Sequence, residues 1–359
     1  MFKILSLSLD PKILESNSSA QRRQVEYSSL TDELNILVFS RGEKQTTGNL
    51  NIYPVNQPNK ILKLLKGFVL AKKIIREKKI NLITVQDQYF LALLGLFLSK
   101  KFKIGLELQI HGFEKFIGVR KVIANYVLPR ADSIRVVSQR LKKRMVEEFG
   151  VEREKITVVP IFVESGIRNQ ESGDRRDNKK FIFLTIGRLA PVKNIGMQIE
   201  AMAEVIKKYS NTELWIVGEG ELRKKLKVRS QKLGIKKNVK FLGWQNNVIK
   251  FYEQADVFML TSNSEGWPLV IVEAASHSLP IIMTDTGSAG ELVKDQESSL
   301  VIPVGAQKEL EKVMIKLIED RNLREKLGRA AHEAVLKLPG KQEIFNLYKK
   351  SWQKALKAR

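Results

Sequence analysis

The sequence predicts an α/β protein made of two doubly wound, parallel-sheet domains. Three observations carry that reading. The chain has 359 residues, too many for one ordinary core, so two domains are the natural division. Short apolar runs alternate with amphipathic stretches through both halves, the βαβ pattern of a parallel sheet. Between the halves, ESGIRNQESGDRRDNKK is polar and nearly free of apolar residues, as a linker is. The division expected is therefore a first domain at 1–163, a linker at 164–180, a second domain at 181–340 and a tail at 341–359.

In the first domain, residues 2–9, 35–39, 82–85, 104–110, 133–137 and 156–159 read as strands. Residues 59–79 read as a helix, with Ile61, Leu64, Leu65, Phe68, Val69, Lys72 and Ile75 along one face and most lysines elsewhere. The apolar run 89–98 is about half a membrane span, so it reads as a core helix. A second βα series starts at Phe181, Glu213, Val239, Val257, Pro280 and Leu300. After its first strand, Ile195, Ile199, Met202 and Ile206 recur at helical spacing. The tail carries Ile344, Leu347, Trp352 and Leu356, an apolar face for a last helix.

Composition narrows the function. Hydrophobic content of 43 % is that of a folded protein, and no cysteine is present to form disulfides. Three scattered histidines and no clustered aspartates give no metal site, and none is expected. The opening MFKILSLSLD has no cleavage signal, so a cytoplasmic protein is expected. Net charge is +23 and is spread over both halves. No aromatic-studded basic strand or zinc knuckle accompanies it, so no nucleic-acid partner is expected. The basic helix at 59–79 instead marks an anionic membrane surface as a possible partner, with the alternative of a core helix whose solvent side is basic.

The densest signal is SNSEGWPLVIVEAASHSLPII. Glu265 and Glu273 bracket a Gly266-Trp267-Pro268 turn that leads through Leu269 into a helix. Pro268 suits a first helical position, and a helix start directs free N–H groups and positive dipole at an anion. Such a pair suits a nucleotide sugar, with hydroxyls on the carboxylates and diphosphate at the helix end. In KFIFLTIGRLAPVKNIGMQIEAM, Arg188 and Lys193 fall in the loop after a buried strand and the turn at Gly187. That is the sheet edge where open α/β proteins bind ligands, and the two cations suit a diphosphate. Gly287 to Glu291 follow a further strand, where small residues permit close backbone approach.

These segments, with IVGEGEL around Gly218, resemble the retaining glycosyltransferases of family 4, which have the GT-B fold. The resemblance is specific from about 180 to 304 and looser elsewhere. It implies two Rossmann-like domains around a cleft, a nucleotide-sugar donor, an acceptor site in the first domain, no metal and a tail helix that crosses back to the first domain. It assigns Arg188 and Lys193 to the donor diphosphate, Glu265 to the donor sugar and Glu273 to the ribose. His111, followed by Gly112 at the end of another strand, falls where the family has a histidine near the reaction centre. The expected reaction moves a hexose or N-acetylhexosamine, from UDP for preference, to a glycan or lipid-linked acceptor in polysaccharide or glycoconjugate synthesis.

Three departures from the family pattern stand out: Ser16 to Ser19 in place of paired glycines, Ile161-Phe162 where Asn-Gly is usual, and Ser278 where a helix-ending glycine is usual. Arg22 and Arg23 follow the first of these and read either as contacts for an anionic acceptor or as surface charge, with surface charge preferred. Two other classes fit parts of the pattern. A glycoside hydrolase also uses two carboxylates but has no need of Arg188 and Lys193. A non-catalytic binder of nucleotide sugars or polyanions on the same scaffold would use the basic surface alone. A Rossmann oxidoreductase is the weakest of the alternatives, since no G-x-G-x-x-G follows a strand.

Overall fold

The computed structural model describes residues 1–112, 118–162 and 180–359, so all of the expected linker except Lys180 lies outside the described residues. The chain divides into two compact units: Met1–Pro160 with Pro339–Arg359, and Ile161–Leu338.

Unit 1 opens with β1 (Lys3–Ser8), α1 (Ser19–Ser28), β2 (Glu33–Val38), β3 (Gln45–Thr47), β4 (Leu50–Pro54) and α2 (Lys60–Glu77). It continues with β5 (Leu82–Val85), α3 (Phe90–Phe102), β6 (Gly105–Ile110), α4 (Val119–Val127), β7 (Ser133–Val136), α5 (Gln139–Phe149) and β8 (Ile156–Val158). Among the described residues these strands form one sheet in the order β3-β4-β2-β1-β5-β6-β7-β8. The central strands are buried on both faces, as a helix-covered parallel sheet requires, and one face carries the polar residues Thr84, Glu107, Gln109 and Arg135. The sheet is parallel except at one edge, where β3 runs antiparallel to β4. This hairpin corrects the expectation of a wholly parallel first domain. Gly48, at φ 58°, makes its turn.

Side-chain caps set where several helices begin. Ser18 accepts from the Gln21 N–H at 3.0 Å, Asn59 from Ile61 at 2.8 Å and Ser138 from Leu141 at 3.2 Å. The apolar face read along α2 divides: Ile75 is buried with Gly67, Ala71 and Ile74, while Ile61, Leu65 and Val69 face solvent. A Cβ on Gly67 would collide with the Phe39 ring, so small residues form the seam. The core-helix reading of 89–98 holds for one side of α3 only. Leu91, Ala92, Leu96 and Leu98 are buried, but Phe90, Leu93 and Phe97 are exposed.

Unit 2 comprises β9 (Phe181–Ile186), α6 (Ile195–Lys208), β10 (Thr212–Val217), α7 (Arg223–Lys232), β11 (Val239–Gly243) and α8 (Ile249–Gln254). Then come β12 (Val257–Leu260), α9 (Leu269–Ser276), β13 (Ile281–Thr284), β14 (Leu300–Ile302), α10 (Gln307–Glu319) and α11 (Arg321–Leu336). Its parallel sheet has the order β11-β10-β9-β12-β13-β14. The order reverses between β9 and β12, and the loops leaving these two strands flank the crevice where such sheets hold ligands. Ile195, Ile199 and Met202 of α6 sit in the core with Phe183, Leu214 and Val257.

The last helix, α12 (Lys341–Lys357), returns to unit 1. Ile344, Tyr348, Trp352 and Ala355 join the cluster that holds Ile4, Leu34 and Leu82. Its backbone comes so near β6 that a Cβ on Gly105 would lie 2.8 Å from the Ala355 carbonyl.

Candidate active site

All the residues predicted for the donor, from Gly187 to Glu273, belong to unit 2 and sit at the carboxyl ends of its strands. Gly187 and Arg188 directly follow β9. Lys193 closes a short 3-10 turn, and Asn194 at φ 46° turns the chain into α6. Gly218 follows β10 at φ 136°, and any Cβ there would strike the Gly187 carbonyl. Backbone bonds from Gly187 N–H to the Val217 carbonyl (3.0 Å) and from Gly218 N–H to the Gly243 carbonyl (2.8 Å) tie the three strand ends together.

The loop from β12 to α9 is held just as closely. The Asn263 N–H donates to the Val192 carbonyl at 2.7 Å, and Thr261 Oγ1 donates to the carbonyls of Lys193 and Asn194, each at 3.2 Å. Gln198, fully buried, donates to the Thr261 hydroxyl at 2.9 Å. These bonds bring the two halves of the expected site into contact. Lys193 Nζ donates to Glu265 Oε1 at 2.5 Å, and the Ser262 hydroxyl donates to the same oxygen at 2.5 Å. Both charged side chains are mostly shielded, at 19 % and 13 % exposure, so this pair is stronger than a surface one. Arg188 is exposed and makes no ion pair among the described residues.

Pro268 is the residue before α9, one place earlier than its expected helical position, and Leu269 begins the helix. Gly266 and Pro268 are buried. Trp267 is 7 % exposed, with its ring packed into the unit and its indole N–H unpartnered. What this turn offers a ligand is therefore the backbone at the start of α9, where the first N–H groups lack intrahelical acceptors. Gly287 fixes the turn from the other side: at φ 56°, a Cβ there would lie 2.8 Å from both Glu265 Cβ and Pro268 Cδ.

Glu273 lies on the second turn of α9. Its Oε2 accepts a 2.6 Å hydrogen bond from the Tyr252 hydroxyl. Burial first, then the Glu273 charge, raises the Tyr252 pKa well above its ordinary value, so the phenol stays protonated and donating. His277 stacks on the Tyr252 ring, centroids 5.1 Å apart, with its Nδ1 2.9 Å from the Glu273 carbonyl oxygen. Sequence reasoning missed Tyr252, Ser262 and Thr261 and gave His277 no role. Tyr252 stands on α8, outside every motif, and no spacing signals it. His332 is buried against the Ser276 carbonyl at 3.1 Å and serves packing.

His111 belongs to unit 1, immediately after β6. Its Nε2 lies 3.4 Å from Gln109 Oε1, and Gln109 donates to Thr84 Oγ1 at 2.5 Å. Below it is a buried charge network. Glu107, fully buried, lies 3.4 Å from Arg135 and accepts from Thr84 at 2.7 Å and from the Trp352 indole at 3.2 Å. Arg135 stacks 3.7 Å over the Tyr348 ring. The surrounding protein first, then the charges of Arg135 and Arg23, push the His111 ring down to about 4. Its own surface is open to solvent, and the ring is a neutral imidazole at pH 7. In the loop after β1, Asn17 takes φ 62°, the conformation a glycine would supply, and asparagine tolerates it. Arg22 and Arg23 lie on α1 and are exposed.

Comparison with known proteins fixes the class. A family model for "Glycosyl transferases group 1" matches residues 167–334, and one for "Glycosyltransferase Family 4" matches residues 28–165. The chain belongs to this glycosyltransferase family. Like its relatives, it is an enzyme of the transferase class. An uncharacterized glycosyltransferase of Methanocaldococcus jannaschii is 29 % identical over 322 residues, covering 76 % of this chain and 79 % of the relative. A Campylobacter jejuni α-1,4-N-acetyl-D-galactosaminyltransferase, named for an undecaprenyl-diphosphate-linked acceptor, is 29 % identical over 284 residues, covering 77 % and 75 %. Among solved structures, Anabaena HepE in complex with UDP superposes with a TM-score of 0.77 at 20 % identity, covering 97 % of this chain and 98 % of that one. The sucrose-phosphate synthase of Thermosynechococcus elongatus reaches 0.82 at 17 % identity over all of both chains. These neighbours establish the fold, GT-B, for this transferase.

Proposed function

We propose that this transferase is retaining and metal-independent, and that it moves a hexose or N-acetylhexosamine from a UDP-linked donor to a glycan or lipid-linked acceptor. The observation that carries the proposal is the cluster of Lys193, Glu265 and Ser262, with both oxygen contacts to Glu265 at 2.5 Å, set beside the start of α9. In this reading the donor diphosphate displaces Glu265 as the partner of Lys193. Arg188 and the first N–H groups of α9 take the remaining charge as the sugar–phosphate bond breaks. Glu265, released, orients the sugar, and Glu273 holds the ribose hydroxyls in the orientation Tyr252 gives it. Two cations and a helix start supply the neutralisation a metal would otherwise provide. Among the described residues no group of three acidic, cysteine or histidine side chains could hold a metal.

Retention follows if the acceptor hydroxyl attacks the face the diphosphate leaves, its proton passing to the leaving phosphate oxygen. The neutral ring of His111 then serves as a hydrogen-bond partner near the anomeric carbon rather than as a cation. The named acceptor of the Campylobacter relative supports a lipid-linked substrate, and dependence on a nucleotide sugar supports work in the cytoplasm.

The test is transfer from UDP-glucose, UDP-galactose and their N-acetylated forms in the presence of EDTA, with the product anomer assigned by NMR. Transfer undiminished by EDTA and an α-linked product are expected. A β-linked product would overturn retention, and loss of activity restored by a divalent cation would overturn metal independence. Lys193→Ala should lower kcat about 10²- to 10³-fold, the usual effect of removing one preorganised charge-stabilising donor, and should cost much less in melting temperature, because Glu265 keeps its Ser262 hydrogen bond.

A further inference from the structure

Three adjoining helices of unit 1 leave apolar side chains in solvent. On α2, Ile61, Leu65 and Val69 recur every fourth residue and are 69 %, 59 % and 62 % exposed. On α3, Leu93 and Phe97 are 39 % and 53 % exposed, and on α4 Val122 is 68 % exposed. The helices are neighbours: Phe68 of α2 meets Phe97 of α3 edge to face with centroids 5.7 Å apart, and α4 packs beside α3. Single exposed apolar residues are ordinary, but a run of them across adjoining elements marks an interaction surface. Folding does not account for this row, because α2 already meets its own core through Gly67, Ala71, Ile74 and Ile75.

The charge on these helices is one-sided. Together α2, α3 and α4 carry ten Lys and Arg residues and one carboxylate, Glu77. Lys72 lies 5.1 Å from the Phe68 ring centroid and Lys101 5.9 Å from that of Phe97. Both ammonium groups thus lie over aromatic rings of this face, and lysine stems of this kind can cover apolar surface while the charge moves to a bilayer boundary. A partner that matches this face presents anions at its surface and hydrocarbon just beneath. A second copy of the chain would set ten cations against ten. A soluble polyanion would engage the lysines and leave the apolar row in water. Among the described residues no helix is long and apolar enough to cross a membrane, so the contact is peripheral.

We propose that α2, α3 and α4 form a docking face for an anionic lipid bilayer. The apolar row enters the headgroup boundary, and the flanking lysines engage the lipid phosphates. This proposal does not rest on the donor-site reading.

The test is co-sedimentation of the full chain with vesicles of phosphatidylcholine alone and with about one-third phosphatidylglycerol, at low and high salt. Binding to the anionic vesicles, weakened by salt and negligible on the neutral ones, is expected. Val69→Ser with Phe97→Ser should weaken it about ten-fold or more, and Lys63→Glu with Lys66→Glu at least as much. Val228→Ser, on the exposed side of α7, should change nothing. All these side chains are wholly or partly in solvent, so melting temperatures should hold. Lack of binding to either vesicle overturns the proposal. So does full binding by the Ser pair, which would identify a polyanion site. A wild-type dimer that the Ser pair turns into a monomer also overturns it, by identifying a self-association face. UDP binding measured on the same samples separates failure here from failure of the donor site.

Discussion

Lys193 and Glu265 are separated by 72 positions in sequence, yet their side chains meet at 2.5 Å. Each was legible because it stands in a loop after a buried strand, where chemistry concentrates in open α/β sheets. Tyr252 was not legible, because its partnership with Glu273 depends on how α8 lies against α9 and leaves no local pattern. Tyr252→Phe removes one donor to a carboxylate and keeps the ring. It should weaken nucleotide binding by roughly ten-fold, in line with a charge-assisted hydrogen bond, while the unit still folds. Unchanged affinity would reduce Tyr252 to packing. His111 makes a pH prediction. A ring depressed below its unfolded value of about 6.5 binds its proton more readily in the unfolded chain. Stability from this group is therefore complete above about pH 6.5 and declines as pH falls toward the folded value. Thermal melts at pH 7 and pH 5 should show wild type losing more than His111→Gln. Equal losses would contradict the depressed ring.

At the scale of elements, most strands were legible as apolar runs, and their observed ends differ from the expected ones by one or two residues. The β3–β4 hairpin was missed because β3 is Gln-Thr-Thr, a polar edge strand with no apolar alternation. On α2 the large apolar residues were legible, but the buried seam was not. Hydropathy favours the large residues Leu65 and Val69, whereas the seam is made by Gly67 and Ala71, which leave room for Phe39. Ser278, flagged as a departure, shows the same logic: it follows α9 at φ 53°, where a glycine would sit without strain. Gly67→Ala drives a methyl into the Phe39 ring and should cost about 1–3 kcal/mol, read as a lower denaturant midpoint with an unchanged slope. Wild-type stability in that variant would show that the seam yields more easily than its geometry implies.

At the scale of the whole molecule, the chain leaves unit 1, builds unit 2 and returns to unit 1 with α12. Sequence periodicity indicated the helix but not the buried network beneath it, since Glu107, Arg135 and Trp352 converge from β6, β7 and α12. Trp352→Ala opens a cavity and removes the indole from a buried carboxylate, at about 3–5 kcal/mol. That loss should fall on unit 1, so denaturation followed by far-UV circular dichroism should begin earlier, while fluorescence of the three remaining tryptophans, all in unit 2, should move less. UDP affinity, which depends on unit 2, should persist. An equal loss of UDP affinity would mean that the donor site depends on the network. The central claim is that Lys193, Glu265 and Glu273 of unit 2 form a nucleoside-diphosphate site, and calorimetric titration with UDP, GDP and ADP addresses it most directly. Micromolar binding of UDP, weakened in Lys193→Ala and in Glu273→Ala, is expected. A folded protein that binds none of the three nucleotides would contradict it.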